Sequence, residues 1–331
     1  MKAQLRHTLE DITSVENLLL AWQEFLPGKR NKPDVQTFGY RLMDNLLGLH
    51  RELAAGAYRH GPYTHFRIAD PKPRDIHKAM VRDRLVHHAI YRVLYPFFSR
   101  TFIADSYSCQ LGKGTHRAMQ RFQTFGRQVS RNSTRTCWVL KCDIRKFFAS
   151  IHHATLLQLL AERIPDARIL ALLQEVIQSF AWSPGIGLPL GNLTSQLFVN
   201  VYMTPFDQLV KHRLKAAHYL RYADDFAVLS TDQAFLRQCI PAMQEYLHTQ
   251  LHLDLHPRKV SIQTLASGVD FLGWVHFPHH RVLRTATKQR MLRRLASHPE
   301  KATVQSYLGL LAHGNAQKLQ AQVVQQVGLW R

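Results

Sequence analysis

The sequence predicts an α+β protein, in which helices are added to a core of antiparallel strands. The first sixty residues have leucines at helical spacing, and the last fifty are basic and helical in pattern. Between them, short apolar runs typical of strands alternate with helical stretches in the order strand, helix, hairpin, helix, hairpin. This order favours an α+β core and disfavours a doubly wound sheet.

Composition narrows the classes of partner. The chain has 331 residues and is 46% hydrophobic, which is enough for a sizeable core and for two or three subdomains. Lys and Arg outnumber Asp and Glu by 43 to 23, for a net charge of +20. This balance indicates nucleic acid first and an anionic membrane surface second. No run approaches the roughly 20 apolar residues of a spanning helix, so no membrane partner is expected.

The termini and cysteines point to an intracellular protein. The N-terminal stretch has charges throughout and no apolar core before a cleavage site, so we expect a cytoplasmic location. The four cysteines form no CxxC pair, which disfavours a disulfide framework or a structural zinc site.

The N-terminal third is predicted to be mainly helical. Leucine spacing predicts helices over 9–26 and 34–56, and apolar positions predict another over 84–99. Between them, glycines and prolines from Gly56 to Pro73 favour short extended segments and turns.

The middle and C-terminal parts contain the predicted strands. The run "CWVLKCDIRKFF" contains a strand that ends at Asp143, and a helix follows near 156–160. A second helix is predicted from about 192 to 213, and "HYLRYADDFAVLS" reads as two strands joined at Asp224 and Asp225. "GVDFLGWVHFPHHRVL" is predicted to be a pair of strands that bends at 278–280.

Three aspartates are candidate catalytic residues. Asp143 ends one apolar strand, and Asp224 and Asp225 lie at the tip of a later hairpin. An Asp pair at a tip can be an ordinary turn, but no glycine follows it here, and Tyr222 and Phe226 flank it. Three converging carboxylates repel one another unless cations neutralise them. Such a set suits two Mg²⁺ ions about 3.5–4 Å apart, which assist a phosphoryl transfer.

An ordered set of motifs resembles the reverse transcriptases. The motifs, which extend from about residue 56 to 284, are "KPR", "RDRLVHHAI", "CDIRKFF", "GLPLGNLTSQLFVN", "YADDF" and "FLGW". The resemblance implies a right-hand polymerase with fingers, a palm built on an antiparallel sheet, and a helical thumb. The implied parts are an N-terminal helical segment (1–62), fingers (63–130 and part of 155–190), palm (131–284) and thumb (285–331).

The resemblance also implies metal ligands. Asp143 and Asp224 would bridge two Mg²⁺ ions, for which Mn²⁺ can substitute. Asp225 would lie beside them, and the carbonyl of Ile144 would be a backbone ligand.

Contacts to nucleotide and primer follow from the same resemblance. Phe148 matches the aromatic steric gate that excludes a 2′-hydroxyl, whereas the neighbouring Phe147 reads as a core residue. Lys72 and Arg74 match the fingers cations that pair with the triphosphate, although a generic basic surface is the alternative. Lys259 falls where some members have a lysine near the departing pyrophosphate. The primer-grip hairpin corresponds to Phe271, Leu272, Gly273 and Trp274.

The neutral stretch "LPLGNLTSQLF" differs from most reverse transcriptases, which have Gln before the glycine. Here Leu190 precedes Gly191, and Ser195-Gln196 follows. This form resembles the reverse transcriptases of diversity-generating retroelements. The loop would line the pocket under the new base pair, with Leu190, Gly191 and Gln196 near the nucleotide. Loss of a directing amide, about 0.5–1.5 kcal/mol, would lower discrimination several-fold.

The resemblance therefore implies a bacterial or phage-encoded RNA-directed DNA polymerase that makes adenine-mutagenised cDNA from a template-repeat RNA. Its partners would be template RNA, primer or cDNA, deoxynucleoside triphosphates and a small, basic, oligomeric accessory protein with a helical-bundle fold. A phage-defence reverse transcriptase with the same core is an alternative. Retron and intron readings have less support, and the three aspartates argue against an inactive RNA-binding scaffold.

Overall fold

A computed structural model describes residues 3–68, 73–298 and 300–328. The chain divides into two compact units. The first unit comprises the residues up to Ala104 together with Ile144–Arg213 and Met243–Leu255. The second unit comprises Asp105–Asp143, Leu214–Ala242 and the residues from His256 onward.

The helices and strands of the described residues are numbered in chain order. The helices are α1 Leu9–Thr13, α2 Val15–Phe25, α3 Pro33–Tyr40, α4 Leu42–Ala54, α5 Val81–Phe98, α6 Thr115–Val129, α7 His153–Ala161, α8 Ala167–Gln178, α9 Leu193–Gln208, α10 Gln233–Leu251, α11 Thr285–Ser297, α12 Lys301–Leu311 and α13 Gln317–Gly328. The strands are β1 Thr64–Ile68, β2 Arg74–Lys78, β3 Trp138–Asp143, β4 His218–Tyr222, β5 Asp225–Ser230, β6 Ser261–Thr264, β7 Val269–Phe271, β8 Trp274–His276 and β9 Arg281–Leu283.

The first unit is mainly helical, as its leucine spacing predicts. In α2 the buried residues Leu18, Trp22 and Phe25 recur at helical spacing, and this face packs against α5. The side chain of Ser14 caps the helix by accepting from the Asn17 amide. Helix α9 packs against α5 and continues into a π-helical turn, Leu209–Arg213, so the predicted helix over 192–213 is confirmed.

The second unit contains a four-stranded antiparallel sheet in the order β4-β5-β3-β6. The middle strand β3 buries Val139, Leu140 and Cys142 completely. One apolar cluster under this sheet includes Phe122 and Phe125 of α6. Strand β3 pairs with β5 as far as Asp143 and with β6 as far as Lys141, and beyond β6 the His256 amide donates to the Asp143 carbonyl.

The "GVDFLGWVHFPHHRVL" segment corrects one prediction. It forms three antiparallel strands, β7, β8 and β9, where the sequence predicted two. The tight turn at Leu272-Gly273 adds the extra reversal, because both residues have positive φ values, 53° and 88°. The bend predicted at 278–280 is present and joins β8 to β9.

The last three helices pack around Trp274 of β8. Their apolar side chains form a second cluster in this unit, which contains Met291, Leu295, Val304, Leu311 and Val323. The basic helical tail predicted from the sequence is therefore confirmed as helices with a buried face. The boundaries expected for fingers, palm and thumb stay a prediction. No helix of the described residues has the length and hydrophobicity needed to cross a bilayer.

Candidate active site

The end of the central strand β3 brings two of the predicted aspartates together. Asp143, the last residue of β3, pairs in register with Asp225, the first residue of β5. Directly opposed residues of an antiparallel pair have Cβ atoms about 4.5–5.5 Å apart. Like charges at that separation repel, so this sheet edge requires a cation when both groups are ionised.

Asp224 lies in the turn between β4 and β5. Tyr222 pairs with Asp225, so the turn consists of two residues, Ala223 and Asp224, and Asp225 already belongs to the strand. Ala223 has φ 56°, a left-handed conformation that normally favours glycine. The buried guanidinium of Arg221 donates a hydrogen bond to the Ala223 carbonyl at 3.1 Å. Strained residues of this kind persist where their surroundings hold them in place.

Asp225 is held against ionisation. Its Oδ1 is buried and has no hydrogen-bond partner among the described residues, and the ammonium of Lys141 lies 3.7 Å away. Burial raises the pKa of Asp225 to about 7, opposed by Lys141 and reinforced by Asp224 and Asp143. Lys141 therefore does not fully offset the effect of burial on the Asp225 carboxylate.

Lys259 supplies a cation to the other partner of this pair. Its ammonium lies 2.9 Å from both carboxylate oxygens of Asp143. The turn that carries Lys259 is anchored at the same place, because the His256 amide donates to the Asp143 carbonyl at 2.8 Å. Lys259, which the resemblance placed near a leaving group, is therefore in contact with a predicted metal ligand.

The three aspartates fit a magnesium site in their chemistry. Carboxylate oxygens are the ligands that Mg²⁺ prefers, and the buried Oδ1 of Asp225 is an unpaired acceptor. In the described residues, however, no three His, Cys, Asp or Glu side chains are grouped as a formed metal site. Both oxygens of Asp143 are in contact with the Lys259 ammonium.

Phe148 lies in the first unit, in the short helical turn Phe147–Ser150. Phe147 is buried, as expected for a core residue, whereas Phe148 is partly exposed, and its role as the gate stays a prediction. Ile144, the proposed backbone ligand, begins the second segment of this unit and bridges to Leu255. The Phe148 carbonyl accepts from the Leu188 amide at 2.8 Å, so the gate residue is tied to the neutral loop.

Leu190 and Gly191 form a turn just before α9. The Leu190 carbonyl accepts from the His77 amide of β2 at 3.4 Å, and the Leu190 side chain is partly exposed. Gly191 has φ 111°, and a Cβ there would lie 3.4 Å from Ile76 Cγ2. Gln196 follows in the first turn of α9 and is half-buried. Glycine is therefore favoured at position 191 by its backbone conformation, whereas a Cβ would make only an ordinary contact with Ile76 of β2.

The predicted fingers cations fall on the β1–β2 hairpin. Arg74 is exposed at the start of β2, where it pairs with Ile68. Lys72 lies outside the described residues. The roles of both residues stay predictions.

The predicted primer grip is a tight hairpin in the second unit. The rings of Phe271 and Trp274 are buried in the core, with exposures of 0% and 1%. The turn itself is Leu272-Gly273. A primer contact at this hairpin would therefore come from the turn and its backbone.

Sequence reasoning missed Lys141 and Arg221, both of which support the aspartates. Lys141 lies two residues before Asp143 on the same face of β3 and reaches Asp225. Arg221 is fully buried, although it is charged. Both residues could have been found in the sequence, because each is a basic residue inside an otherwise apolar strand. Burying such a charge is energetically unfavourable unless it has a partner.

The antiparallel sheet has Asp143 and Asp225 opposed at one end and Asp224 in the adjoining turn, which is the arrangement expected for the palm of a polynucleotide polymerase. Residues 69–276 match the family profile "Reverse transcriptase (RNA-dependent DNA polymerase)". The chain belongs to the reverse transcriptase family. The enzyme class predicted from the sequence, RNA-directed DNA polymerase, is thereby confirmed.

The chain is also similar to curated relatives in sequence and to a solved structure in fold. The chain is 25% identical over 304 residues to protein YkfC of Escherichia coli K12, covering 78% of this chain and 77% of YkfC. It is 26% identical to nuclear intron maturase 4 of Arabidopsis thaliana, over 47% of this chain and 20% of the maturase. Telomerase of Candida albicans superposes with a TM-score of 0.51 at 9% identity, over 70% of this chain and 48% of telomerase. The right-hand polymerase fold is confirmed.

Proposed function

We propose that this protein is an RNA-directed DNA polymerase that makes adenine-mutagenised cDNA from the template-repeat RNA of a diversity-generating retroelement. The observation that carries the polymerase activity is the in-register pair Asp143–Asp225 with Asp224 in the adjoining turn. The observation that favours the diversity-generating role is Leu190, an aliphatic residue, at the turn before α9.

In this proposal Asp143, Asp224, Asp225 and the Ile144 carbonyl hold two Mg²⁺ ions. When bound, the metal ions supply Lewis-acid stabilisation to the attacking and leaving oxygens. Lys141 and Arg221 keep Asp225 and the Ala223-Asp224 turn in place for this ligation. Lys259 neutralises Asp143 in this structure, and a metal ion held by Asp143 would compete with it for the carboxylate oxygens.

Nucleotide selection is assigned to the first unit. The partly exposed ring of Phe148 excludes a 2′-hydroxyl, and the Leu188 amide fixes its backbone. Leu190 contacts the new base pair without offering a directing hydrogen bond, and Gln196 and Gly191 complete the loop. Lys72 and Arg74 pair with the triphosphate. Template RNA, primer or cDNA, and a small, basic, oligomeric accessory protein with a helical-bundle fold are the proposed partners.

Primer extension on a defined RNA template tests the enzyme, and sequencing of the cDNA tests the role. Purified protein should extend a DNA primer with deoxynucleotides and Mg²⁺, and Asp143→Asn is the matched inactive control. Errors should be concentrated opposite template adenine, with the accessory protein supplied if extension requires it. Absence of primer extension both without and with the accessory protein contradicts the polymerase proposal. Extension with errors spread evenly over the four bases contradicts the diversity-generating role and favours the defence alternative.

A further inference from the structure

Helix α9 begins without the cap that its sequence offers. Asn192 stands at the N-cap position, where Asn is among the preferred residues, yet its side chain caps no amide of the helix. The Asn192 side-chain amide instead donates to the hydroxyl of Tyr63 at 3.2 Å. Asn192 therefore makes no capping hydrogen bond and instead connects the Leu190-Gly191 loop to Tyr63, which is distant in sequence.

A second tie begins at Thr194, two residues further on. The Thr194 hydroxyl lies 2.7 Å from Nδ1 of His87, and Nε2 of His87 lies 3.2 Å from Nε2 of His60. Nδ1 of His60 lies 2.7 Å from the Gly61 carbonyl, which can only accept. All four residues belong to the first unit.

These distances link three side chains and a backbone carbonyl in one continuous chain. Nδ1 of His60 must carry a proton to reach the Gly61 carbonyl, and Nε2 of the same ring lies 3.2 Å from Nε2 of His87 and 3.3 Å from the Tyr63 hydroxyl. Burial lowers the pKa of His87 to about 3, so this ring is neutral and bonds to Thr194 on one side and to His60 on the other. Thr194, His87 and His60 therefore form a continuous hydrogen-bonded chain that ends at the Gly61 carbonyl.

The hydrogen bonds of the Tyr63 hydroxyl to Ser179 and Asn192 have defined donors and acceptors. The Ser179 hydroxyl donates to the Val176 carbonyl at 2.7 Å, so it accepts from the Tyr63 hydroxyl 2.9 Å away. Burial raises the pKa of Tyr63 to about 12, which keeps the phenol protonated for this donation. The Tyr63 oxygen is then free to accept from Asn192.

We propose that His87 and Tyr63 are positioning residues that, through Thr194 and Asn192, hold the Leu190-Gly191 loop in its nucleotide-contacting conformation. This inference rests on the proposed function, because it takes Leu190 as a nucleotide contact. Chains of hydrogen bonds rigidify the groups at their ends, and a displaced loop would make a weaker contact with the bound nucleotide. A merely structural network would stabilise the fold without affecting the nucleotide.

Near-isosteric variants separate the two roles. Thr194→Val removes the hydroxyl and leaves Nδ1 of His87 without this partner, whereas Thr194→Ser keeps the hydroxyl and is the matched control. Tyr63→Phe breaks the other tie and also removes the hydroxyl that lies 3.3 Å from Nε2 of His60. Each variant is measured for the KM and kcat of deoxynucleotide incorporation, for its melting temperature, and for amide hydrogen exchange of residues 188–196.

We expect Thr194→Val and Tyr63→Phe to raise the nucleotide KM about threefold to tenfold, the range set by one lost hydrogen bond, with kcat changed by less than about twofold. Thr194→Ser should retain the wild-type KM, and exchange of the loop amides should be faster in the first two variants only. An unchanged KM with a lowered melting temperature overturns the proposal. If wild-type protein extends no primer, the proposed function fails, and hydrogen exchange still decides this inference: unchanged loop exchange in Thr194→Val overturns it.

Discussion

The ammonium of Lys259 lies 2.9 Å from both carboxylate oxygens of Asp143, the residue that ends the central strand of the sheet. The lysine side chain thus contacts a predicted metal ligand in this structure. The same sheet edge carries Asp225, whose pKa is raised to about 7 mainly by burial. Lys259 and Mg²⁺ are expected to compete for Asp143.

That competition is testable with Lys259→Gln. Removing the ammonium frees Asp143 for metal, so the Mg²⁺ concentration that gives half-maximal extension should fall several-fold. Lys259→Arg keeps the positive charge and should remain close to wild type in this titration. A higher Mg²⁺ requirement in Lys259→Gln would show that the lysine assists metal binding.

Asp143→Asn or Asp224→Asn should reduce Mg²⁺-dependent extension to less than a few per cent of wild type. RNA binding should be nearly unchanged, because the basic surface supplies most of the affinity. Extension is measured beside a filter-binding assay with the same RNA. Substantial residual extension in either variant would remove that residue from the metal site.

Phe148→Ala should admit ribonucleotides, because the clash with the 2′-hydroxyl is removed. Phe147→Ala is the matched control: its ring is buried, so it should cost about 3–5 kcal/mol of stability without changing sugar discrimination. The comparison requires single-nucleotide incorporation with dNTP and rNTP, and thermal unfolding. If folded Phe148→Ala discriminates between dNTP and rNTP as the wild type does, Phe148 is a packing residue like Phe147.

Leu190→Gln should lower errors opposite template adenine several-fold, the scale of one net hydrogen bond of about 1 kcal/mol. The side chains are similar in length, and Leu190 is only partly buried, so folding should survive. The measurement is sequencing of cDNA copied from one adenine-containing template by both proteins. An identical adenine error rate in an active variant would place the source of infidelity elsewhere.

Acid should destabilise the second unit through His276. Burial lowers the pKa of this imidazole from 6.5 to about 4, so the unfolded chain binds a proton more readily than the folded one. Above pH 6.5 His276 is neutral in both states and the full free energy of unfolding is present. As the pH falls from 6.5 toward 4, this free energy decreases by about 1.4 kcal/mol per pH unit. Urea unfolding at pH 7 and pH 5 checks this, and His276→Leu should have a shallower dependence on pH.

The sequence by itself determined most of the helices and strands and the residue types of the candidate site. Leucine spacing located the N-terminal helices, and apolar runs located β3, β4 and β5, because helical and strand periodicities are local properties of the chain. The spacing of the three aspartates and the form of the Leu190 loop were also visible there. These features indicated a reverse transcriptase before any contact was known.

The tertiary structure alone decided which distant residues meet. Strand β6 has no clear sequence signal, yet it completes the sheet beside β3. Lys259 reaches Asp143 across 116 positions of the chain, and Thr194 reaches His87 across 107. The pKa of Asp225 follows from burial and from neighbours brought together by folding. Periodicity reports only the next few residues, whereas burial and pairing depend on the whole chain, which is why these relationships could not be predicted.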